Sequence, residues 1–114
     1  MTDDREDLLQ GTLELLTLKT LSLGPMHGWG ISQRIEQLSR GTFGVNQGSL
    51  YPALQRMKRR GWIKSEWRRT ENNRRARYYM LTPAGERQLD AKGASWERAY
   101  QAVNWVLGFE GGAG

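Results

Sequence analysis

The sequence predicts a mainly α chain with one small β-hairpin, on three observations. Apolar residues recur at helical three-and-four spacing in four separate stretches. Between the third stretch and the fourth, the spacing shifts to alternation and the residues to aromatic and β-branched types. Glycine or proline punctuates the junctions. A chain of 114 residues holds one core of this kind and buries roughly two-thirds of its unfolded surface, enough to fold without staples.

The first helix is expected over Leu8 to Leu23. Leu9, Leu13 and Leu16 follow one face while Leu8, Leu15 and Leu18 lie toward another, so the helix is buried on more than one side. A second subunit is one candidate for part of that cover. Gly24-Pro25 stops it. The second helix runs from about Gly28 to Ser39 on Ile31, Ile35 and Leu38, with Gly41 after it. Asn46 then caps a third helix that continues to Arg60 and ends at Gly61. Leu50, Leu54 and Met57 form its apolar seam. Gly48, Pro52, Gln55 and Arg59 fall opposite, with Ser49, Tyr51, Arg56 and Lys58 on the flanks. Pro52 forfeits one backbone bond and tightens the helix start without ending it. Trp62–Arg69 and Arg77–Thr82 alternate as strands around the polar segment 70–75, a hairpin in which Trp62 and Trp67 are expected to sit in the core under the strands. Thr82-Pro83 opens a fourth helix reaching Leu107, and a glycine-rich tail follows.

Charge is distributed unevenly. Residues 1–40 carry a net −2, residues 41–80 a net +8 and residues 81–114 a net −1, so the whole excess of +5 sits on the third helix and hairpin. Such a footprint meets nucleic acid or another anionic surface. With no cysteine there is no disulfide framework, thiolate metal site or cysteine nucleophile. No apolar run approaches the length of a membrane span, and the acidic start is unlike a secretory leader, so a cytoplasmic location is expected.

Three helices, a basic hairpin and a long last helix assemble into a winged helix-turn-helix: residues 1–82 as a DNA-binding domain, 83–108 as a C-terminal dimerisation helix, 109–114 as a flexible tail. In this arrangement the third helix enters the major groove and the wing reaches along the backbone or into the minor groove. Lys58, Arg59, Arg60, Lys64, Arg68, Arg69, Arg74, Arg75 and Arg77 supply cations for phosphates. Small polar Gln47, Gly48 and Ser49 at the helix start permit close approach to base edges, with Gln55 and Arg56 further along the same helix. On the last helix Leu89, Trp96, Tyr100, Val103 and Leu107 form a heptad-like seam, read here as a homodimer contact.

Gly48-Ser49-Leu50-Tyr51-Pro52-Ala53-Leu54-Gln55-Arg56-Met57 with Gly61-Trp62-Ile63 resembles the recognition-helix signature of PadR-type transcriptional regulators. His27-Gly28-Trp29-Gly30-Ile31 is similar to the family's second-helix motif, with Trp29 in place of a tyrosine. Gln47 stands where the family often has a proline. Arg77-Tyr78-Tyr79-Met80-Leu81-Thr82-Pro83-Ala84-Gly85 is similar to the family's second wing strand and the start of its last helix. The motifs stand in register from Leu8 to Leu107. The resemblance implies a homodimeric repressor of the short-tailed branch, built through its first and last helices, with Tyr51, Gly48 and Ser49 facing a pseudo-palindromic duplex. It also implies a further reading of Trp96 and Tyr100, as the lining for a small, flat hydrophobic effector; the other reading is subunit packing, and Trp105 joins either.

His27, the only histidine, lacks the partners of a metal site and is expected to cap a turn. No P-loop, metal cluster or nucleophile–base spacing stands out, so neither enzyme chemistry nor a cofactor is expected. Glu6 and Asp7, or Glu86 and Asp90, suit the first turns of helices. A winged-helix module binding RNA or a protein partner through its basic face is the alternative reading.

Overall fold

The computed structural model describes residues 4–109, and side chains over 11–109. Its elements are α1 (Asp4–Ser22), β1 (Met26–His27), α2 (Gly28–Leu38), α3 (Gln47–Arg59), β2 (Ile63–Arg69), β3 (Arg75–Leu81) and α4 (Pro83–Leu107). Most of the expected tail, with the side chains of Glu6, Asp7, Leu8 and Leu9, lies outside the described residues. Among the described residues no helix is long and apolar enough to cross a membrane.

α1 is the central helix. Leu13, Leu18 and Leu21 are buried, and so are Thr17 and Thr20. Thr20 tolerates this by donating its hydroxyl to the Leu16 carbonyl at 2.8 Å. Leu18, from the second leucine face, is covered within the chain itself, because α1 packs against α2, α3, α4 and β3. Ile31 and Ile35 of α2, and Leu50, Ala53, Leu54 and Met57 of α3, complete the core with Ile63 and Tyr79 from the sheet. Leu38, the last residue of the expected α2 stripe, is instead exposed, in the turn where the helix ends.

α2, α3 and α4 each start where a side chain accepts the helix's third N–H. His27 Nδ1 accepts from Gly30 at 3.0 Å, Asn46 Oδ1 from Ser49 at 2.8 Å and Thr82 Oγ1 from Gly85 at 3.0 Å. α3 runs unbroken through Pro52. Gly61, at φ +79°, then closes it with two bonds, from its own N–H to Lys58 and from Trp62 to Met57.

The sheet adds one strand to the expected hairpin. β2 and β3 pair antiparallel from Ile63↔Leu81 to Arg69↔Arg75, and β1 joins the other edge of β3 at Met26↔Tyr79 and His27↔Tyr78. The order is β1-β3-β2. Side chains alternate across it, so Ile63, Ser65, Trp67 and Arg69 share a face with Leu81, Tyr79, Arg77 and Arg75. At the root that face meets the core. Toward the tip the core stops and the strands continue, and this overturns one expectation. Trp62, just before β2, is half-buried against the core, but Trp67 within β2 is 52% exposed, beyond the core's edge.

Candidate nucleic-acid interface

α3 divides along its length as its sequence requires. Leu50, Ala53, Leu54 and Met57 are fully buried, while Gly48, Ser49, Tyr51, Pro52, Gln55, Lys58 and Arg59 stand exposed on the opposite side. Asn46 takes the Ser49 N–H, which leaves those of Gln47 and Gly48 without an acceptor inside the helix. Those donors and the helix dipole favour an anion at this end. The Gln47 side chain turns inward, where Nε2 donates to Ser32 Oγ at 2.6 Å across the α2–α3 seam and Oε1 is buried without a partner. Gly28 makes this crossing possible. A Cβ there would meet Tyr51 Oη at 2.9 Å and Gln47 Oε1 at 3.2 Å.

Between this helical edge and the wing lies a cleft of about 1130 Å³. One wall carries Trp29, Arg34, Tyr51 and Gln55, and the other Trp67, Arg74, Arg75 and Arg77. The wing tip is held by Thr70, whose N–H donates to the Arg74 carbonyl, and by Asn73 in the left-handed region at φ 61°. Arg69 stabilises that turn through Asn73 Oδ1 at 2.8 Å. Arg68, on the other face of the hairpin, pairs with Glu66 and covers the Tyr78 ring. Tyr79 sits at the base of the cleft; burial, and then the nearby Tyr51 phenol, push its own phenol up against the opposing pull of Arg77.

The arginines toward the end of α3 that face the body, Arg56 and the C-cap Arg60, have a different partner. Glu14 of α1, with only 8% of its side chain exposed, receives Arg56 Nε at 3.3 Å, Arg60 Nη1 at 3.8 Å and Lys92 Nζ at 3.7 Å. Arg60 and Lys92 also lie over the Trp62 ring, each at 5.1 Å. Arg56 is thereby turned toward the body and not toward the exposed face of α3. Among the described residues no three His, Asp or Glu side chains gather as a metal site.

A core-packed helix with a polar, cationic outer face beside a basic wing is an arrangement for reading a duplex. The family model of PadR-like transcriptional regulators matches residues 17–91, which span the end of α1, α2, α3, the wing and the start of α4. The chain belongs to the PadR-like family. Solved PadR-like and related regulators superimpose over most of their length. A transcriptional regulator from Clostridium thermocellum is 28% identical, with a TM-score of 0.78 over 86% of this chain and 95% of that one. A PadR-like transcriptional regulator from Bacillus cereus is 28% identical, with a TM-score of 0.76 over 89% and 96%. A PadR family regulator from Eggerthella lenta is also 28% identical, with a TM-score of 0.73 over 89% and 86%. The PadR-like chain is accordingly a winged-helix transcriptional regulator and not an enzyme.

In this PadR-like fold the structure brings Gly48, Ser49, Tyr51, Gln55, Lys58 and Arg59 to one exposed helix face, and Arg74, Arg75 and Arg77 to the cleft wall opposite. Gln47, Arg56, Arg68 and Arg69 are each engaged by an intramolecular partner. Trp29, Arg34 and Trp67 are among the cleft residues outside the expected contacts. Arg34 was legible as a cation on the polar side of the second helix. Trp67 was not, since alternation gives a strand's faces but not where the core beneath it ends.

On α4, Leu89 packs against the core, whereas Trp96, Tyr100, Val103 and Leu107 are exposed, together with Trp105 and Val106. Trp96 and Tyr100 stack on each other one turn apart, with ring centroids 5.0 Å apart and planes at 11°.

Proposed function

We propose that this PadR-like protein is a homodimeric, sequence-specific repressor acting on cytoplasmic DNA. α3 reads a half-site in the major groove, and the wing grips the adjoining backbone. The observation that carries this reading is the cationic cleft between the exposed face of α3 and the wing. Gly48 and Ser49 approach base edges, because neither side chain is long enough to hold the helix away. Tyr51, Gln55, Lys58 and Arg59 contact the flanks, and Arg74, Arg75 and Arg77 take phosphates, with Arg68 and Arg69 at the wing's margin. Gln47 and Arg56 act by fixing the angle of α3 on the body.

Two copies join through Trp96, Tyr100, Val103 and Leu107, which places two recognition helices on half-sites about one turn, ~34 Å, apart. The Trp96–Tyr100 stacks offer flat apolar surfaces at that seam, where a small hydrophobic effector releases the operator. Tryptophan quenching by such compounds, lost in Trp96→Ala, tests this second step.

The principal test is fluorescence anisotropy of two duplexes, the DNA upstream of the gene and a scrambled copy, over a salt series. At least ~10³-fold preference for the upstream duplex is expected. With several phosphates neutralised, affinity falls roughly 10³–10⁵-fold between 50 and 200 mM salt. Equal binding to every duplex tried, with tighter binding to RNA, overturns the reading in favour of an RNA-binding module.

A further inference from the structure

The wing treats its arginines in two ways. Off the cleft wall, Arg68 lies over the Tyr78 ring but is ion-paired with the Glu66 carboxylate, while Arg69 is held by the uncharged Asn73 oxygens of the turn. Arg75 and Arg77, on the cleft wall, take part in no ion pair among the described residues. Both guanidinium groups lie over one ring, that of Trp67, at 4.9 and 4.7 Å from its centroid. Arg77 also donates from Nη1 to Ser65 Oγ at 2.9 Å.

The chemical difference between the two settings is decisive. A carboxylate fixes a guanidinium but cancels its charge. An aromatic face or a hydroxyl fixes it and leaves the charge whole. Strand geometry makes the second device necessary here. Trp67 lies directly across from Arg77, and Arg75 is two residues along on the same face. Two like charges this close repel, and each long side chain loses rotamer freedom when it is held. A shared π-face opposes both costs. Nothing in the core needs Trp67 where it stands, past the body and half in solvent.

We propose that Trp67 is a positioning residue for DNA. Its indole holds Arg75 and Arg77 as a pre-set pair of undiminished cations facing the sugar-phosphate strand that enters the cleft. Trp29 and Arg34 stand on the opposite wall of the same cleft, so the strand is received between an arm already charged and ordered and the start of α2. This inference rests on the DNA-binding reading above and adds to it the residue that prepares the wing.

The test is a cycle of duplex titrations over a salt series, using the upstream DNA with the full-length protein. Trp67→Leu keeps apolar bulk at an exposed position and removes the π-face. It is expected to weaken binding about five- to tenfold at fixed salt while leaving the slope of log affinity against log salt unchanged, since the same phosphates are still reached. Trp67→Phe, which restores a ring, should stay within about twofold of the parent. The pair Arg75→Gln and Arg77→Gln should shallow the slope by about 2, close to one unit per phosphate contact. Adding Trp67→Leu to that pair should then cost nothing more. The proposal is overturned if Trp67→Leu weakens binding equally in both backgrounds, if the Leu and Phe variants bind alike, or if neither differs from the parent. Failure of the underlying reading looks different, because the parent protein itself then shows no salt-steep duplex binding.

Discussion

Glu14 shows how one residue ties α3 to its frame. A carboxylate placed on the buried side of α1 is costly unless its oxygens are fully engaged. Here three cations converge on it, Arg56 of α3, Arg60 at that helix's C-cap and Lys92 of α4. Arg60 and Lys92 then cover Trp62 as well, so the same cluster reaches the root of the wing. The cations are between 26% and 52% exposed, so water screens them and their mutual repulsion is moderate. Glu14→Gln keeps the shape and removes the charge that balances them. We expect a loss of about 2 kcal/mol, below the full cost of breaking a buried pair because the partners stay partly hydrated. In a domain of this size that lowers Tm by about 10 °C. A calorimetric scan showing the parent's Tm in the variant counts against the cluster as a structural tie. None of this was visible in the sequence, where Glu14 was one acidic residue in a leucine-rich helix. Its partners lie 42 or more residues away along the chain.

Elements were legible where their signals are local. Asn46, His27 and Thr82 cap helices because a short polar side chain beside three free N–H groups has few alternatives, and Gly61 ends α3 because it alone adopts φ +79° without strain. β1 was not legible. Two residues have no period, and their partners Tyr78 and Tyr79 come some fifty positions later. The wing-to-α4 joint combines both kinds of information. Thr82-Pro83 announced the helix, but only the fold brings it against Gly61 and Trp62. There the Thr82 hydroxyl donates toward both of their carbonyls, at 2.6 and 2.9 Å, and its N–H donates to Trp62. Gly85 is pressed so closely onto this joint that a Cβ would lie 2.1 Å from the Trp62 carbonyl oxygen and 2.7 Å from Leu81 Cδ1. The obstacle is backbone, which cannot swing aside. Gly85→Ala is therefore expected to cost about 3 kcal/mol, at the upper end for overpacking, despite alanine's better helix propensity. Urea denaturation measures it. A variant as stable as the parent refutes the rigid joint.

At the scale of the whole molecule a single copy is elongated. Its radius of gyration is 15.4 Å, against about 13 Å for a compact chain of this length. The longest extent, 52 Å, exceeds the shortest, 23 Å, more than twofold. A 25-residue helix is about 37 Å long, and α4 packs on the core through Leu89 near its start while most of its distal large apolar residues remain in water. Trp96, Tyr100, Val103 and Leu107, each between 47% and 60% exposed, share one face of α4, an apolar run of the kind that marks an interface. A second copy is the partner that also makes functional sense, because two linked recognition helices bind a two-half-site operator with an effective concentration that one helix lacks. Val103→Glu with Leu107→Glu places charges on that run at positions 53% and 60% exposed, so each protomer keeps its fold. Sedimentation velocity should show the parent as a dimer and the double variant as a monomer. Operator affinity should fall at least ~10²-fold, while binding to a single half-site duplex changes little. A double variant that still sediments as a dimer places the interface elsewhere. A monomer that keeps full operator affinity dissolves the link between the α4 seam and half-site spacing.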